Sequence, residues 1–395
     1  MSYENVWLAI IAGGKGTRLF PISHEECPKQ FCQLDKDNTF IQATVRRYVN
    51  LDIKPEHIII IVTNQEQRNL AYEQTKWLGI LENNIVTVEP FYDFAGCMVL
   101  AAEIIAEKSK YSLDKTVIIN TPADQHVANT AKLKKAVSLG VENALKQRPT
   151  ILGVKIGDIP TMTGLGHAIY RKNESSIAKI ESFIEKPNQK AAEEMLENGN
   201  TVANTGISIW TADTILKKIS SSMISPNGLK TDELMQILID KLDAIISNFE
   251  WYDCGTLKSL YDISPKTPNH HNATICGNVE RINCRNSLFY AVDGVKLHAS
   301  TVKNTAIVVN SVNGKIFVAI VNLGYSQRVK ELAKKYDDIK EILASELSLS
   351  AENNDVANMN MKDEAYVGFI GVHNMIVTIL KQSDGSVLVL VKQTS

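Results

Sequence analysis

The sequence has no apolar run long enough to cross a membrane. Its first residues carry no basic segment ahead of a hydrophobic stretch, so a signal peptide is not expected. Cysteine is sparse: Cys27, Cys32, Cys97, Cys254, Cys276 and Cys284 are all there is, and none forms a C-x-x-C pair. Zinc is therefore not expected, and in a chain of this size the six read as free thiols of a reducing, cytoplasmic compartment. Charge of one sign is also lacking. A formal net charge of −2 provides no broad basic field, so neither nucleic acid nor an acidic membrane is an expected partner. Any anionic ligand must be held by local charge. What is there is ordinary for a globular protein: 395 residues, 44% apolar and 22% charged, enough for two domains and a large core.

The most informative stretch is Ala12 to Phe31, AGGKGTRLFPISHEECPKQF. It follows Val6 to Ile11, a short apolar run with the look of a buried parallel strand. Gly13, Gly14 and Gly16 allow a tight turn and close approach of a ligand. Free backbone N–H groups in such a turn can form a concave anion site. Arg18 and Lys29 add positive charge, one as a fork and the other as a point. Together these features describe a triphosphate cradle, although glycines alone would equally fit an ordinary turn. Lys15 is followed by Gly16, which excludes a Walker loop, and Leu19 occupies the third glycine position of a dinucleotide fingerprint.

Apolar runs at His57–Thr63, Ile85–Val88, Thr116–Asn120 and Thr150–Val154 alternate with helical segments at Asn64–Gly79, Ala95–Lys108 and Thr130–Gln147. This alternation predicts an α/β fold with a mixed, mostly parallel sheet and helices on both faces. Ligands of such sheets bind at the carboxyl ends of the strands, where the glycine turn and the loop after Asn120 both fall. Ala168–Lys172 and Ile177–Ile184 read as added antiparallel strands. A polar run with two prolines, Ile263 to Asn272, reads as a linker, predicting domains over 1–264 and 265–395. The second is β-rich. Val302–Val309 with Asn313-Gly314 echoes Val372–Ile379 with Asp384-Gly385, each a strand, a turn and a strand. Two such units predict a small β domain, β-helix-like. A helix is expected over Ser326–Leu343, with a polar stretch around Ala351–Asp363.

Gly14 to Ser23 matches G-x-G-T-R-L-x-P-x-S, and Pro28 to Phe31 reads P-K-Q-F. The string resembles the signature of sugar-1-phosphate nucleotidylyltransferases, and its ending resembles the mannose-1-phosphate guanylyltransferase branch. The likeness runs from about Val6 to Leu343, where Tyr325 to Leu332 resembles the family's S-Q-x-V-K ending. It implies a Rossmann-like nucleotidyltransferase sheet on which a sugar 1-phosphate attacks the α-phosphate of a nucleoside triphosphate. Ala12, Gly13, Gly14, Gly16 and Thr17 would lie on the nucleotide, with Arg18 on the leaving pyrophosphate and Lys29 neutralising charge. Asp124 in NTPADQH and Asp253 in WYDCG match the positions that would hold Mg2+, although composition alone would make each a turn or capping residue. Glu185 and Lys186 in FIEKP, Asn204 in NTG and Gly164 in TGLG match the positions that would hold the sugar phosphate. The implied substrates are GTP and mannose 1-phosphate.

Several positions depart from the family's pattern. Gln125 stands before His126 and displaces the histidine by one position. Asp93-Phe94-Ala95 replaces a basic residue followed by Asn-Thr, and Met162 replaces a glutamate. Lys230 to Glu233 only echoes an expected Ser-x-Asp-Tyr. Another sugar or base, or a paralogue that binds sugar nucleotides without turnover, are the alternative readings. No second catalytic domain of the isomerase type is expected, and self-association into a homo-oligomer is left open.

Overall fold

Six consecutive apolar or small residues, VWLAII, form β1 (Val6–Ile11), and every one of them is buried. A strand covered on both faces needs no alternation, which is why this run is continuous. The computed structural model describes residues 3–14, 16–88, 92–155, 157, 162–173, 175–222, 224–342, 358–362, 365–382 and 386–393. The chain divides into two units, Met1–Gly13 with Ile41–Tyr252, and Gly14–Phe40 with Asp253–Ser395.

The first unit carries β1, β2 (Ile58–Val62), β3 (Ile85–Thr87), β4 (Val117–Pro122), β5 (His126–Val127), β6 (Thr150–Val154), β7 (Gly166–Tyr170), β8 (Ile177–Glu185), β9 (Thr201–Thr211), β10 (Asp243–Ser247) and β11 (Trp251–Tyr252). Nine of them make one sheet in the order β3-β2-β1-β4-β9-β6-β10-β8-β7. The half from β3 to β4 is parallel, and β6 and β10 are parallel as well. The long strand β9 is antiparallel to β4, β6 and β7. Two-residue strands β5 and β11 pair separately. Trp7, Ile59, Ile118, Met98 and Trp210 belong to one continuous core of this unit. Helix starts follow local chemistry: the Asn64 side chain accepts from Gln67 N at 2.8 Å at the head of Gln65–Thr75.

The second unit carries β12 (Ala273–Thr274), β13 (Asn278–Ile282), β14 (Leu288–Ala291), β15 (Val295–Ser300), β16 (Thr305–Val312), β17 (Lys315–Asn322), β18 (Asn358–Lys362), β19 (Ala365–Ile370), β20 (Met375–Lys381) and β21 (Val387–Gln393). From β12 to β16 successive strands alternate between two sheets, β12-β14-β16-β17-β19-β18 and β13-β15-β21-β20; β17 to β19 stay in the first, and β20 and β21 join the second. Pairing is parallel along β12, β14 and β16, and along β13, β15 and β21. This is the winding of a β-helix-like domain. The two echoing segments are both antiparallel pairs, β16–β17 and β20–β21, in different sheets. Asn313 and Gly314 take the positive φ values that the first turn needs, 50° and 73°. Asp384-Gly385 lies outside the described residues. The helix runs over Val329–Ile342 after a 3-10 segment, Leu323–Arg328.

The stretch Ile263 to Asn272, expected as a linker, is hydrogen-bonded into this second unit. Thr267 N donates to Asn272 O at 2.8 Å, and the buried Asn272 side chain donates to Cys284 O at 2.7 Å. The chain passes between units elsewhere, after Gly13, Phe40 and Tyr252. Among the described residues no helix is long and apolar enough to cross a membrane.

Candidate active site

The loop of residues 14–40 is part of the second unit, and its shape begins with Gly16. Gly16 has φ +64°, and a Cβ there would stand 2.3 Å from Lys29 Cβ. No other residue fits, because both the backbone angle and the close approach require its absence. Leu19 N and the Ser23 hydroxyl both donate to Gly16 O. Thr17–Leu19 makes one 3-10 turn that leaves Arg18 exposed and buries Leu19. Phe20, joined to Pro21 by a cis peptide bond, packs edge-on against Phe317 with ring centroids 4.7 Å apart. Tyr336 and Tyr366 complete the aromatic cluster around Phe317. Asn310 donates from Nδ2 to Pro21 O at 2.7 Å and to Ile22 O at 3.3 Å. The loop is thus clamped to strands almost three hundred positions further along.

Lys29 is only 4% exposed. Its Nζ donates to Asp253 O at 2.8 Å and lies 5.4 Å from the Phe40 ring centroid. Gly255 brings Asp253 and Arg18 to one place: a Cβ on Gly255 would be 2.6 Å from Asp253 Oδ2 and 3.2 Å from Arg18 Nη2. Gly14, Gly16, Thr17, Arg18, Lys29 and Asp253 are therefore gathered within this unit. Two cations and one carboxylate beside exposed glycine backbone can hold phosphate oxygens and a cation.

In the first unit, Ala12 and Gly13 leave β1 beside the end of β4. Ala12 N donates to Ile61 O at 2.8 Å, so that amide is committed to the sheet. Gly13 is exposed. Ala123 is pinned from both sides: its N–H donates to Ile11 O at 3.0 Å and its carbonyl accepts from Thr44 Oγ1 at 3.0 Å. Asp124 follows it, half-buried. Gln125, the extra residue before the histidine, is buried; its side chain donates to Thr205 O, while its carbonyl accepts from Arg47 Nη2 at 2.8 Å. The insertion braces the Asp124 loop against β9, and His126 moves onto the β5–β11 ribbon opposite Tyr252.

The four expected sugar-phosphate residues are also in the first unit. Lys186 N donates to Leu165 O at 3.1 Å, joining FIEKP to the turn that holds Gly164. Gly166 pairs with Glu185 across β7 and β8, and a Cβ on Gly166 would be 2.4 Å from Glu185 Oε2. The Glu185 carboxylate thus lies over a glycine, exposed, with Lys186 Nζ 3.4 Å away. Asn204 is half-buried on β9, its Oδ1 accepting from Gly206 N at 3.0 Å. Gly206 takes φ +75°, and a Cβ there would be 2.7 Å from Pro122 Cγ, so this bend sits against the Asp124 loop.

The departures have local structural roles. Asp93 caps the helix Phe94–Lys108, accepting from Phe94 N at 2.7 Å, and Ala95 is fully buried. Met162 is 2% exposed and packs with Ala192 and Met195, while its carbonyl faces His167 Nε2 at 2.9 Å. A buried glutamate there would need a partner, which methionine does not. Lys230 N donates to Glu233 at 2.9 Å, a helix start at Thr231–Leu238. Glu89 and Pro90, which anchor the first departure, lie outside the described residues. Asn310, Gly255 and Gly166 were not expected as site residues, and Gln125 was noted only as a departure; Gly255 and Gly166 stand in the strings WYDCG and TGLG, whereas Asn310 carries no local signal.

The nine-stranded mixed sheet and its helices define an α/β protein. The chain belongs to the Nucleotidyl transferase family, which matches residues 8–270. It is 27% identical over 365 residues to a mannose-1-phosphate guanylyltransferase of Salmonella montevideo, covering 82% of this chain and 73% of that one. It is 24% identical over 323 residues to a protein of the same name from Escherichia coli, covering 72% and 67%. In fold it is similar to a crystal structure from Thermus thermophilus described as a mannose-1-phosphate geranyltransferase. The TM-score is 0.69 at 22% identity, over 84% of this chain and 99% of the other.

Proposed function

We propose that the chain is a mannose-1-phosphate guanylyltransferase, moving GMP from GTP to α-D-mannose 1-phosphate and releasing GDP-mannose and pyrophosphate. The observation that carries the reaction class is the packing of Gly16 on Lys29, which fixes a buried lysine and the exposed Arg18 in one loop. The choice of sugar and base rests on the names of the relatives. A phosphate oxygen of the sugar phosphate attacks the α-phosphorus in line, and pyrophosphate leaves. Such a step depends on positioning and charge neutralisation more than on covalent catalysis. Arg18 takes the leaving pyrophosphate, Lys29 neutralises charge on the phosphates, and the backbone of Gly13, Gly14 and Gly16 approaches the nucleotide, with Ala12 and Thr17 beside it. Glu185 accepts sugar hydroxyls, Asn204 binds another, Gly164 approaches through its backbone and Lys186 pairs with the sugar phosphate.

Mg2+ is the expected ion, held by Asp124 and Asp253. Among the described residues no cluster of three or more His, Cys, Asp or Glu could hold a metal alone. Mg2+ binds through one or two carboxylates completed by phosphate oxygens and water, so two aspartates suffice. When bound it would neutralise phosphate charge. The compartment proposed for the reaction is the cytoplasm, on the reading of the six cysteines as free thiols. A pyrophosphate-release screen across the common nucleoside triphosphates and several hexose 1-phosphates, with and without Mg2+, tests the reading. Release with GTP and mannose 1-phosphate is expected to exceed all other pairs and to stop when Mg2+ is chelated. A flat response to that pair would end the proposal.

A further inference from the structure

Lys29 stands between two cysteines in the segment Cys27-Pro28-Lys29-Gln30-Phe31-Cys32. Their sulfur atoms are 3.6 Å apart. Both backbones are anchored. Cys27 exchanges two hydrogen bonds with His24, each at 3.1 Å, while Cys32 donates to Lys29 O at 3.0 Å and accepts from Phe40 N at 3.1 Å. Cys27 is partly exposed and Cys32 is buried. Cys27 is thus the more accessible of the two, with the Cys32 sulfur beside it.

We propose that Cys27 and Cys32 form an oxidisable dithiol bracketing Lys29, which a low-molecular-weight disulfide such as oxidised glutathione converts to an intramolecular disulfide. Cys27 attacks one sulfur of the oxidant and releases a first thiol. Cys32 then attacks Cys27 Sγ, the mixed disulfide breaks, and the departing thiolate takes the Cys32 proton. Overall, two protein thiols and one disulfide give one protein disulfide and two small thiols, so the protein pair loses two electrons and the oxidant gains them. A hydrogen bond from Cys32 draws the Cys27 thiol below its usual range, outweighing its partial burial, while burial pushes Cys32 well above it. This assigns Cys27 the first attack, since the thiolate is the nucleophile. Closing the bond brings the sulfurs to about 2.0 Å. The Cys32 S–H bonds to Ile22 O at 3.2 Å and Cys27 O at 3.3 Å are lost with the proton. The turn holding Lys29 against Asp253 O is the segment that must adjust.

The consequence for turnover rests on the role proposed for Lys29; the modification itself does not. Trypsin cuts after Arg18, Lys29 and Lys36, so Cys27 and Cys32 fall in separate peptides, 19–29 and 30–36. The full chain is reduced, freed of reductant, titrated with oxidised glutathione, alkylated and digested without reductant. A linked 19–29/30–36 pair is expected to grow with oxidant and vanish on reduction. Turnover of the same samples should fall roughly ten- to a hundredfold in step, as misplacement of one positioning group commonly costs. Cys27→Ser should keep its turnover in the same oxidant. Unlinked peptides overturn the proposal, including glutathione carried on Cys27 alone. So does a link from 19–29 to 267–281, which carries Cys276. A linked pair with unchanged turnover upholds the dithiol and instead removes Lys29 from the mechanism.

Discussion

The residues proposed to hold the sugar phosphate and the cationic loop are built in opposite ways. Glu185, Lys186 and Asn204 sit on strands or strand ends of a hydrogen-bonded sheet, exposed or half-buried, and their places are set by register. Arg18 and Lys29 sit on a loop with almost no regular structure. That loop is held from below by Phe317, Tyr336 and Asn310 of the β-helix-like domain. The C-terminal domain is therefore the floor of the cationic loop and not a separate appendage. Substitutions in β16 and β17 should reach turnover, whereas equally buried changes in the first unit's sheet should act on stability.

Phe317→Ala should have the largest effect. It empties the centre of a four-ring cluster and removes the ring under Phe20, at a cost of about 3–5 kcal/mol for a fully buried phenylalanine. Denaturant unfolding would register the loss, and pyrophosphate release should fall with it at temperatures where the protein stays folded. Unchanged turnover in a folded variant would break the link between floor and loop. Lys29→Ala comes next, with turnover lower by about two orders of magnitude or more from loss of one charge contact in the transition state. Initial rates at saturating substrates check this, and an active variant would take Lys29 out of the reaction. Arg148→Ala is the counterpart in the first unit. Arg148 pairs with the buried Asp243, which also accepts from Asn143 Nδ2 at 2.9 Å. Leaving that carboxylate without its cation should cost about 2 kcal/mol, below the full cost for a buried pair because Arg148 stays partly in water. Thermal unfolding should shift while KM values hold.

How legible each region was follows the same division. The β1 run, the helical segment that begins at Asn64 and the string from Gly14 to Phe31 depend on neighbours in sequence, so residue type and spacing revealed them. Glu185 and Gly164 were singled out separately, but their closeness depends on the pairing of β7 with β8. The aromatic floor was invisible because Phe20, Phe317, Tyr336 and Tyr366 are scattered along the chain, each unremarkable where it stands. Prolines at 265 and 268 suggested a linker, yet Asn272 ties that stretch to Cys284 and Ser287 through its side chain. Met162 and Asp93 are visible in the sequence only as departures from the family's binding pattern. In the fold one fills an apolar cluster and the other starts a helix.

Asn310 gives the smallest effect and the sharpest distinction. Its amide is buried, and Nδ2 serves the carbonyls of both Pro21 and Ile22. Asn310→Ala removes that donor, leaving the Pro21 carbonyl to find water or go unpaired and Ile22 O with the Cys32 thiol, at a cost of about 1–2 kcal/mol. If the β domain merely supports the loop, stability should drop and kcat at saturating substrate should hold. If it positions the loop, kcat should drop about tenfold more than stability explains, because Arg18 is carried on the turn directly before Pro21. The second outcome is expected, since Gly16, Leu19 and Ser23 transmit any shift of Pro21 to the turn through hydrogen bonds already in place. Measuring kcat and unfolding on the same preparation separates the two, and a variant with lower stability but intact kcat would reduce the C-terminal domain to a buttress.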